Sequence, residues 1–205
     1  MEENSITRVE IAGGIASGKT TLARALQSKQ SMSIYEDFRQ NPFFEAFYQD
    51  AIGAAFETEL SFLLQHYHQQ KKALKPGKTF YADFSLVLDH AYARVTLPKS
   101  ELKVFRTVLD EVAKKLPKRT LLIHLVCSPE VEMHRIRRRN RSAERGITSI
   151  YLRKIAAELA DLVEALPASK VISINSGEID FANDKQARDR VIRRVEEALA
   201  TTKKV

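Results

Sequence analysis

The stretch Gly13-Gly14-Ile15-Ala16-Ser17-Gly18-Lys19-Thr20 decides the fold of this chain. It fits the pattern G-x-x-x-x-G-K-[ST], in which glycines let backbone N–H groups curl around phosphate oxygens at a helix N-terminus. An apolar run over residues 6–12 precedes it, and a helical pattern follows to about residue 26. A plain glycine turn would leave Lys19 and Thr20 in this register without a packing purpose. We therefore predict a phosphate-binding loop between a strand and a helix, and call residues 13–20 the phosphate loop.

The rest of the chain alternates apolar runs with helical periodicity. Further runs rich in apolar and β-branched residues occupy residues 32–35, 79–83, 120–126 and 170–174, and long helical patterns separate most of them. Strands that alternate with helices form parallel sheets. We expect an α/β fold of the P-loop NTPase type, a three-layer sandwich with a five-stranded parallel sheet flanked by helices. No repeat or linker divides residues 1–205, so we expect a single domain.

Composition narrows the class of protein. The chain has 205 residues, with 33 Lys and Arg against 26 Asp and Glu, a net charge of +7. That balance indicates a polyanionic partner, either nucleic acid or a small phosphorylated ligand. Cys127 is the one cysteine of the sequence, so a disulfide framework is excluded. Residues 1–9 are too polar for a signal peptide and no run of about 18 apolar residues occurs, which predicts a cytoplasmic protein that does not bind membranes.

Most of the excess charge lies in one segment. Residues 135–145 contain six Arg and one Glu, which is +5 of the net +7. On a helix Arg135 would lie over Arg139 and Arg137 over Arg141, and like-charged i,i+4 pairs cost about 0.2–0.5 kcal/mol each. A bound anion would offset that cost. A solvated basic face and a nucleic-acid surface are the alternatives, but beside a phosphate loop we predict an Arg-rich lid, about residues 135–147, that closes over a triphosphate.

Carboxylates follow two further predicted strands, where ligands bind in α/β sheets. Glu36 comes just after the second strand and could accept the proton of an attacking hydroxyl. Asp83 ends the third strand and could hold Mg²⁺ through water, together with Thr20 of the phosphate loop. The alternative for Asp83 is a cap of the following helix.

Aromatic residues are concentrated between these carboxylates. Nine of the sixteen aromatic side chains fall in residues 35–67, more than a helix–sheet core needs. Stacking on a nucleobase is worth about 1–3 kcal/mol per base. Glu59, Leu63 and His66 share one face of a predicted helix, which offers a polar edge beside an apolar wall to read such a base. For His66 alone, an ordinary surface or core histidine is the more common reading.

Several motifs in order resemble the deoxyribonucleoside kinase family, over nearly the whole chain. They begin with the phosphate loop and Glu36, followed by Asn41-Pro42-Phe43 and Phe47-Tyr48-Gln49-Asp50. The lid, from Arg135-Ile136 through Glu144 and Gly146-Ile147 to Tyr151-Leu152, follows the family's R-I-x-x-R-x-R-x-x-E-x-G-I-x-x-x-Y-L spacing. Asp180-Phe181 matches the D-F of the family's adenine loop.

This resemblance implies a kinase of nucleoside salvage that transfers the γ-phosphoryl group of ATP to the 5′-hydroxyl of a deoxyribonucleoside, with Mg²⁺. Glu36 would be the general base, and Tyr48 with Glu144 would hold the 3′-hydroxyl. Arg139 and Arg141 would clamp phosphates. Arg135 would stack on the donor adenine. The implied ATP site comprises Gly13, Gly14, Ile15, Ala16, Ser17, Gly18, Lys19, Thr20, Thr21, Arg135, Arg139, Asp180 and Phe181. Family members are usually dimers, which implies a homodimer through helices in residues 52–74 and 89–116.

The sequence departs from the family at two places. The acid-Arg-Ser motif after the third strand reads Asp83-Phe84-Ser85, so its Arg, which lies near the 5′-hydroxyl, is missing. Asp89 keeps its spacing from this motif and could face the base. The family's base-reading Gln corresponds to Glu59 or, in another alignment, Gln65.

Glu59 permits an inference about the substrate. An ionised carboxylate accepts hydrogen bonds and does not donate them, which suits the neighbouring N1–H and N2–H₂ donors of guanine. We therefore expect a purine deoxynucleoside, with deoxyguanosine ahead of deoxyadenosine if Glu59 reads the base.

Three other functions fit parts of the sequence. A nucleoside monophosphate kinase, similar to thymidylate kinase, would share the phosphate loop and lid, but residues 48–66 offer no basic residue for the acceptor's phosphate, and Lys71 is the first. A nucleic-acid binder would use the Arg-rich segment and would lose affinity steeply with salt. A catalytically silent nucleotide-binding regulator would explain the missing Arg.

Overall fold

A sheet of five parallel strands forms the centre of the computed structural model, which describes residues 6–49, 51–73 and 75–202 and, of these, not the side chains of 48, 49, 51, 52 and 143. The strands are β1 (Thr7–Gly13), β2 (Ser31–Ile34), β3 (Thr79–Ala82), β4 (Leu121–Val126) and β5 (Val171–Asn175). Each begins and ends within one residue of its predicted position. Their order is β2-β3-β1-β4-β5, and all neighbours are parallel. The predicted α/β fold is confirmed.

Eight α-helices surround this sheet in the described part of the chain. They are α1 (Lys19–Ala25), α2 (Phe44–Gln49), α3 (Ala51–Ala73), α4 (Leu86–Thr96), α5 (Lys99–Lys114), α6 (Pro129–Arg139), α7 (Ser149–Glu164) and α8 (Lys185–Thr202). One apolar cluster joins Ile11 and Ile123 of the sheet to α1 and α8. A second joins Ala12 and Leu122, on the opposite face, to α4 and α7. Alternate side chains of the strands thus fill two cores, as expected for a sheet covered on both faces.

The position of α3 over the sheet depends on a buried charged cluster. Glu10 of β1 accepts hydrogen bonds from Arg8, at 2.7 Å, and from Gln70 of α3, at 2.9 Å. Arg119 lies 3.3 Å from its other carboxylate oxygen. Burial by itself would raise the pKa of Glu10, but the two arginines outweigh burial and the net shift is downward. The carboxylate is therefore ionised and holds α3 against β1.

The Arg-rich segment is not one continuous helix. Helix α6 ends at Arg139, and its C-cap Asn140 has the left-handed angles φ 46° and ψ 47°. Arg141 therefore lies beyond the helix, and the predicted stacking of Arg137 under Arg141 is wrong. Asparagine tolerates this backbone conformation better than most residues, and it redirects the chain after the last turn. None of the described helices is both long enough and apolar enough to cross a bilayer.

Candidate active site

The phosphate loop lies at the carboxyl edge of the sheet, between β1 and α1. Gly18 has a positive φ of 106°, and a Cβ there would lie 2.9 Å from the ring of Phe181, so glycine is required at this position. Lys19 donates hydrogen bonds to the carbonyls of Gly13 and Gly14, at 2.9 and 2.8 Å. Its ammonium therefore lies inside the loop, next to the N-terminus of α1, where an anion is stabilised.

Hydrogen bonds bring Thr20 in the first turn of α1 together with Asp83 after β3 and Glu36 after β2. The Thr20 hydroxyl donates a hydrogen bond to Asp83, at 2.6 Å, and the backbone N–H of Glu36 donates to the other oxygen of Asp83, also at 2.6 Å. The capping alternative for Asp83 is wrong, because Ser85 caps α4 by accepting from the backbone of Leu88.

The same pair fits a magnesium ion. A hydroxyl and a carboxylate are hard oxygen donors, and Mg²⁺ in kinase sites takes one or two such ligands together with water and substrate phosphates. Within the described parts of the chain, no group of three or more His, Cys, Asp or Glu side chains could hold a metal on its own. Thr20 and Asp83 are therefore the residues that would hold Mg²⁺ beside the phosphates of a nucleotide.

Glu36 is exposed and lies next to this contact at the carboxyl edge of the sheet. The protein atoms around the cleft raise its pKa most, while the positive charges of His66 and Lys19 lower it. Asp83 and Asp89 raise the pKa further, so that the net shift is upward. The carboxylate is still exposed to solvent, so a molecule that covers it would strengthen the desolvation. A raised pKa makes a carboxylate a better acceptor for a hydroxyl proton.

His66 lies next to Phe84, the residue that stands where the family motif has an arginine. Phe84, which stands at the Arg position of the motif, is buried and stacks on the His66 ring with centroids 4.0 Å apart and an interplanar angle of 8°. Nδ1 of His66 lies 2.9 and 3.0 Å from the two oxygens of Asp89. Burial lowers the pKa of His66, but the charge of Asp89 and its hydrogen bond outweigh burial, and the pKa is raised overall.

This imidazole is a candidate functional residue that the sequence analysis placed on a base-reading face but, taken alone, regarded as an ordinary histidine. Its Nε2 is buried and has no hydrogen-bond partner in the described structure. The signal in the sequence was the absence of the motif's arginine at residue 84. Only the fold shows that His66 and Phe84 are in contact.

Glu59, the predicted base-reading residue, is buried against Thr96. It is 5% exposed, and one of its oxygens lies 3.0 Å from the hydroxyl of Thr96. Burial raises the pKa of Glu59 to about 8, against a smaller downward effect of the Thr96 hydrogen bond. The shift favours the neutral form of the side chain, whereas the sequence analysis expects an ionised carboxylate, and the reading of a base by Glu59 stays a prediction. Leu63 is fully buried in the core between α3 and α5, so it supports this helix face and does not line the cleft.

The lid and the adenine loop meet at the phosphate loop. Arg135 of α6 donates to the carbonyl of Ala16, at 3.3 Å, and to that of Ser176 after β5, at 2.7 Å. Phe181 is buried against Gly18, while Asp180 is exposed and accepts from Asn183. Arg135 and Phe181 thus support the loop from two sides, and stacking of Arg135 on an adenine stays a prediction.

A buried acid on the lid helix contacts the same loop. Glu132 is 2% exposed, and a Cβ on Gly14 would collide with its carboxylate. Burial raises the pKa of Glu132 to about 7, although Lys19 and Arg135 lower it. The sequence analysis missed this residue, because acidic residues are common in the first turn of a helix and Glu132 lies in the first turn of α6.

The predicted phosphate clamp is paired within the lid. Arg139 donates two hydrogen bonds to the Glu144 carboxylate, one of them 2.6 Å long, and Arg141 lies 3.6 Å from the same group. Glu144 is buried. Tyr48, its predicted partner on the 3′-hydroxyl, lies in α2, but its side chain is outside the described structure.

Comparison with known proteins shows which family has a similar sequence and fold. The profile of the deoxynucleoside kinase family matches residues 9–200. A deoxyguanosine kinase of Bacillus subtilis is 28% identical over 96% of this chain and 99% of its own length. A deoxyadenosine kinase of Lactobacillus acidophilus is 26% identical over 93% of this chain and 95% of its own length. The structure of a deoxyadenosine kinase from M. mycoides with bound dCTP superposes with a TM-score of 0.77 at 17% identity, and the match covers 93% of this chain and all of that one.

Proposed function

The chain belongs to the deoxynucleoside kinase family and is a phosphotransferase, and on that premise we propose that it phosphorylates the 5′-hydroxyl of a purine deoxyribonucleoside with ATP. The observation that carries this proposal is the contact of Thr20, Asp83 and Glu36 at the phosphate loop. It joins a site for the donor's phosphates to a carboxylate with a raised pKa. Similarity to both deoxyguanosine and deoxyadenosine kinases supports the purine.

In this mechanism the reaction depends on positioning and on charge. Glu36 accepts the proton of the 5′-hydroxyl while the hydroxyl oxygen bonds to the γ-phosphorus and the bond from that phosphorus to ADP breaks. Lys19 leaves its carbonyl partners and binds the phosphates. Arg139 and Arg141 exchange Glu144 for phosphate oxygens. Thr20 and Asp83 would hold Mg²⁺, which would neutralise charge on the phosphates.

His66 supplies the positive charge that the missing arginine would bring. Its protonated ring is held by Asp89 and lowers the pKa of Glu36 through space. A cation here favours the ionised form of Glu36 that a general base needs, and it stabilises the charge that develops at the acceptor oxygen.

The acceptor and the assembly complete the proposal. The family match favours a nucleoside acceptor over a nucleoside monophosphate.

Leu64 of α3 and Val104 of α5 are about half exposed, at 49% and 50%, and could form the face of a homodimer. With +5 of the charge in the lid, we expect no binding to nucleic acid or membranes, and we expect the protein to act in the cytoplasm in nucleoside salvage.

A panel assay tests the proposal. Purified protein with Mg-ATP is given each of the four deoxynucleosides and, as controls, their monophosphates. We expect a purine deoxynucleoside to be the best acceptor. Glu36→Gln should lower kcat by about 10²–10⁴-fold, the range for loss of a general base, with ATP binding retained. Glu45→Gln, an exposed acid on α2, should have no effect. Faster phosphorylation of a monophosphate, or no transfer to any deoxynucleoside, would overturn the proposal.

A further inference from the structure

The two lid arginines that are predicted to bind phosphates are held in different ways. Arg139 donates two hydrogen bonds to Glu144, one of them 2.6 Å long. Arg141 lies 3.6 Å from the same carboxylate, and it donates no hydrogen bond within the part of the chain that the structure describes. Its side chain is half exposed, at 50%. Arg141 is therefore the lid cation whose N–H donors can bind an incoming anion without first breaking a hydrogen bond.

The guanidinium of Arg141 lies over the ring of Phe38, in the loop after β2. Its central carbon is 5.7 Å from the centroid of that ring. The face of an aromatic ring is electron-rich and attracts a cation placed over it. This attraction does not use the N–H groups of the guanidinium as hydrogen bonds do, so they remain able to bind an anion. Phe38 thus holds the side chain of Arg141 without competing for its donors.

The ring of Phe38 is itself fixed by neighbouring residues. It packs against Phe44 of α2, with centroids 4.8 Å apart and planes inclined by 39°. Phe44 contacts Phe62 of α3 edge to face, with centroids 5.9 Å apart. Phe38 also begins a short 3₁₀ helix, and Asp37 caps this helix by accepting a hydrogen bond from the backbone N–H of Arg39. The ring therefore has a defined position before any nucleotide binds.

The contact of Phe38 with Arg141 lies close to the group that would be transferred. Phe38 comes two residues after Glu36, the proposed base. Burial lowers the pKa of Lys19 most, and the positive charge of Arg139 lowers it further, so this part of the lid lies near the phosphate loop. The γ-phosphate of ATP must lie between the phosphate loop and the hydroxyl that Glu36 activates. An arginine held on the loop of Glu36 is thus nearest to the γ-phosphate.

We propose that Phe38 is a positioning residue, whose ring places Arg141 to bind the γ-phosphate of ATP. This inference rests on the proposed function, since it concerns the donor of that reaction. A contribution to γ-phosphate binding changes the affinity for ATP but not that for ADP, which lacks this group. An exposed cation–π contact is worth about 0.5–1 kcal/mol, and without it the phosphate must order Arg141 at that cost, so the ratio of Kd for ATP to Kd for ADP should rise by about 2–5-fold.

Fluorinated phenylalanines at residue 38 test this proposal with little change of shape. Fluorine withdraws electrons from the ring face and weakens its attraction for a cation. We measure Kd for Mg-ATP and Mg-ADP by calorimetry with none, one or three fluorine atoms on the ring. The ratio should rise with the number of fluorine atoms, while the unfolding temperature stays the same. Phe43, a ring with 37% exposure and no cation over it in the described structure, is the control, and fluorination there should leave the ratio unchanged.

A double-mutant cycle identifies the side chain through which Phe38 acts. Phe38→Leu removes the ring and should raise the ratio by the same factor. In an Arg141→Gln protein the same exchange should have no further effect, because the side chain that Phe38 positions is gone. Additive effects of the two exchanges would overturn the inference. A ratio that does not respond to fluorine at residue 38, or that responds equally at residue 43, would also overturn it.

The outcomes separate this inference from the proposed function. If ATP binds but no deoxynucleoside is phosphorylated, the proposed function fails, and the fluorine series still decides the role of Phe38. If a deoxynucleoside is phosphorylated and the ratio is constant along the series, the proposed function stands and Phe38 does not position Arg141. If ATP does not bind, both fail.

Discussion

At the scale of single residues, Phe84, which stands where the family motif has an arginine, stacks on His66 from another element. An aromatic ring cannot carry charge, but its face stacks on His66, whose own charge depends on Asp89. Both side chains of that pair are almost completely buried, at 5% and 6% exposure. A buried ion pair is costly to break, because the remaining partner has no water around it.

Asp89→Asn should therefore destabilise the protein in a pH-dependent way. The pKa of His66 is raised in the folded protein, so its stabilising contribution is fully present below the unfolded value near pH 6.5 and is lost as pH rises through the folded value. We expect a loss of about 3 kcal/mol at pH 6, in the range for broken buried pairs, and a smaller loss at pH 9. Urea unfolding at both pH values measures this. A larger loss at pH 9 than at pH 6 would show that His66 is not the charged partner.

At the scale of elements, the lid is divided by the end of α6. Arg138 and Arg139 are neighbours in the last turn, but of the two only Arg139 is paired with Glu144 in the described structure. Its two parallel hydrogen bonds need the planar guanidinium, which lysine cannot reproduce.

Arg139→Lys should lower kcat by about 10²-fold or more, because arginines that stabilise transferred phosphoryl groups contribute 10³–10⁵-fold and lysine keeps the charge alone. Arg138→Lys, the matched control on the exposed side of the same turn, should retain nearly full activity. Steady-state kinetics with saturating Mg-ATP make the comparison. Equal kcat values for the two variants would remove Arg139 from the transfer step.

At the scale of the whole molecule, the sequence predicts the fold better than it predicts the site. The strand boundaries follow from local apolar runs, and the phosphate loop from a motif with fixed geometry. Thr20, Asp83 and Glu36 could be brought together in advance because the ends of parallel strands meet at one edge. The state of Glu59 and the stacking of His66 on Phe84 could not, because burial and contacts between helices set pKa values that spacing does not reveal.

The exposed apolar residues Leu64 and Val104 carry a prediction about assembly. If the face of α3 and α5 joins two copies, Leu64→Glu with Val104→Glu should give monomers, since charges in an apolar interface lose their hydration. Light scattering after size-exclusion chromatography measures the mass of wild type and variant. Ala200→Glu on α8 is the control and should leave the mass unchanged. A monomeric wild type would contradict the homodimer.

The pairing of Glu144 with Arg139 and Arg141 has a consequence for how two substrates bind together. By the proposed roles, the acceptor's 3′-hydroxyl recruits Glu144, and the donor's phosphates recruit the two arginines. Either ligand must disrupt the same ion pairs, so whichever binds first leaves the other with less to disrupt. The two binding free energies are then coupled, and by reciprocity each substrate increases the affinity for its partner by the same factor. The lid thereby favours the ternary complex over either binary complex, without a contact between the two sites.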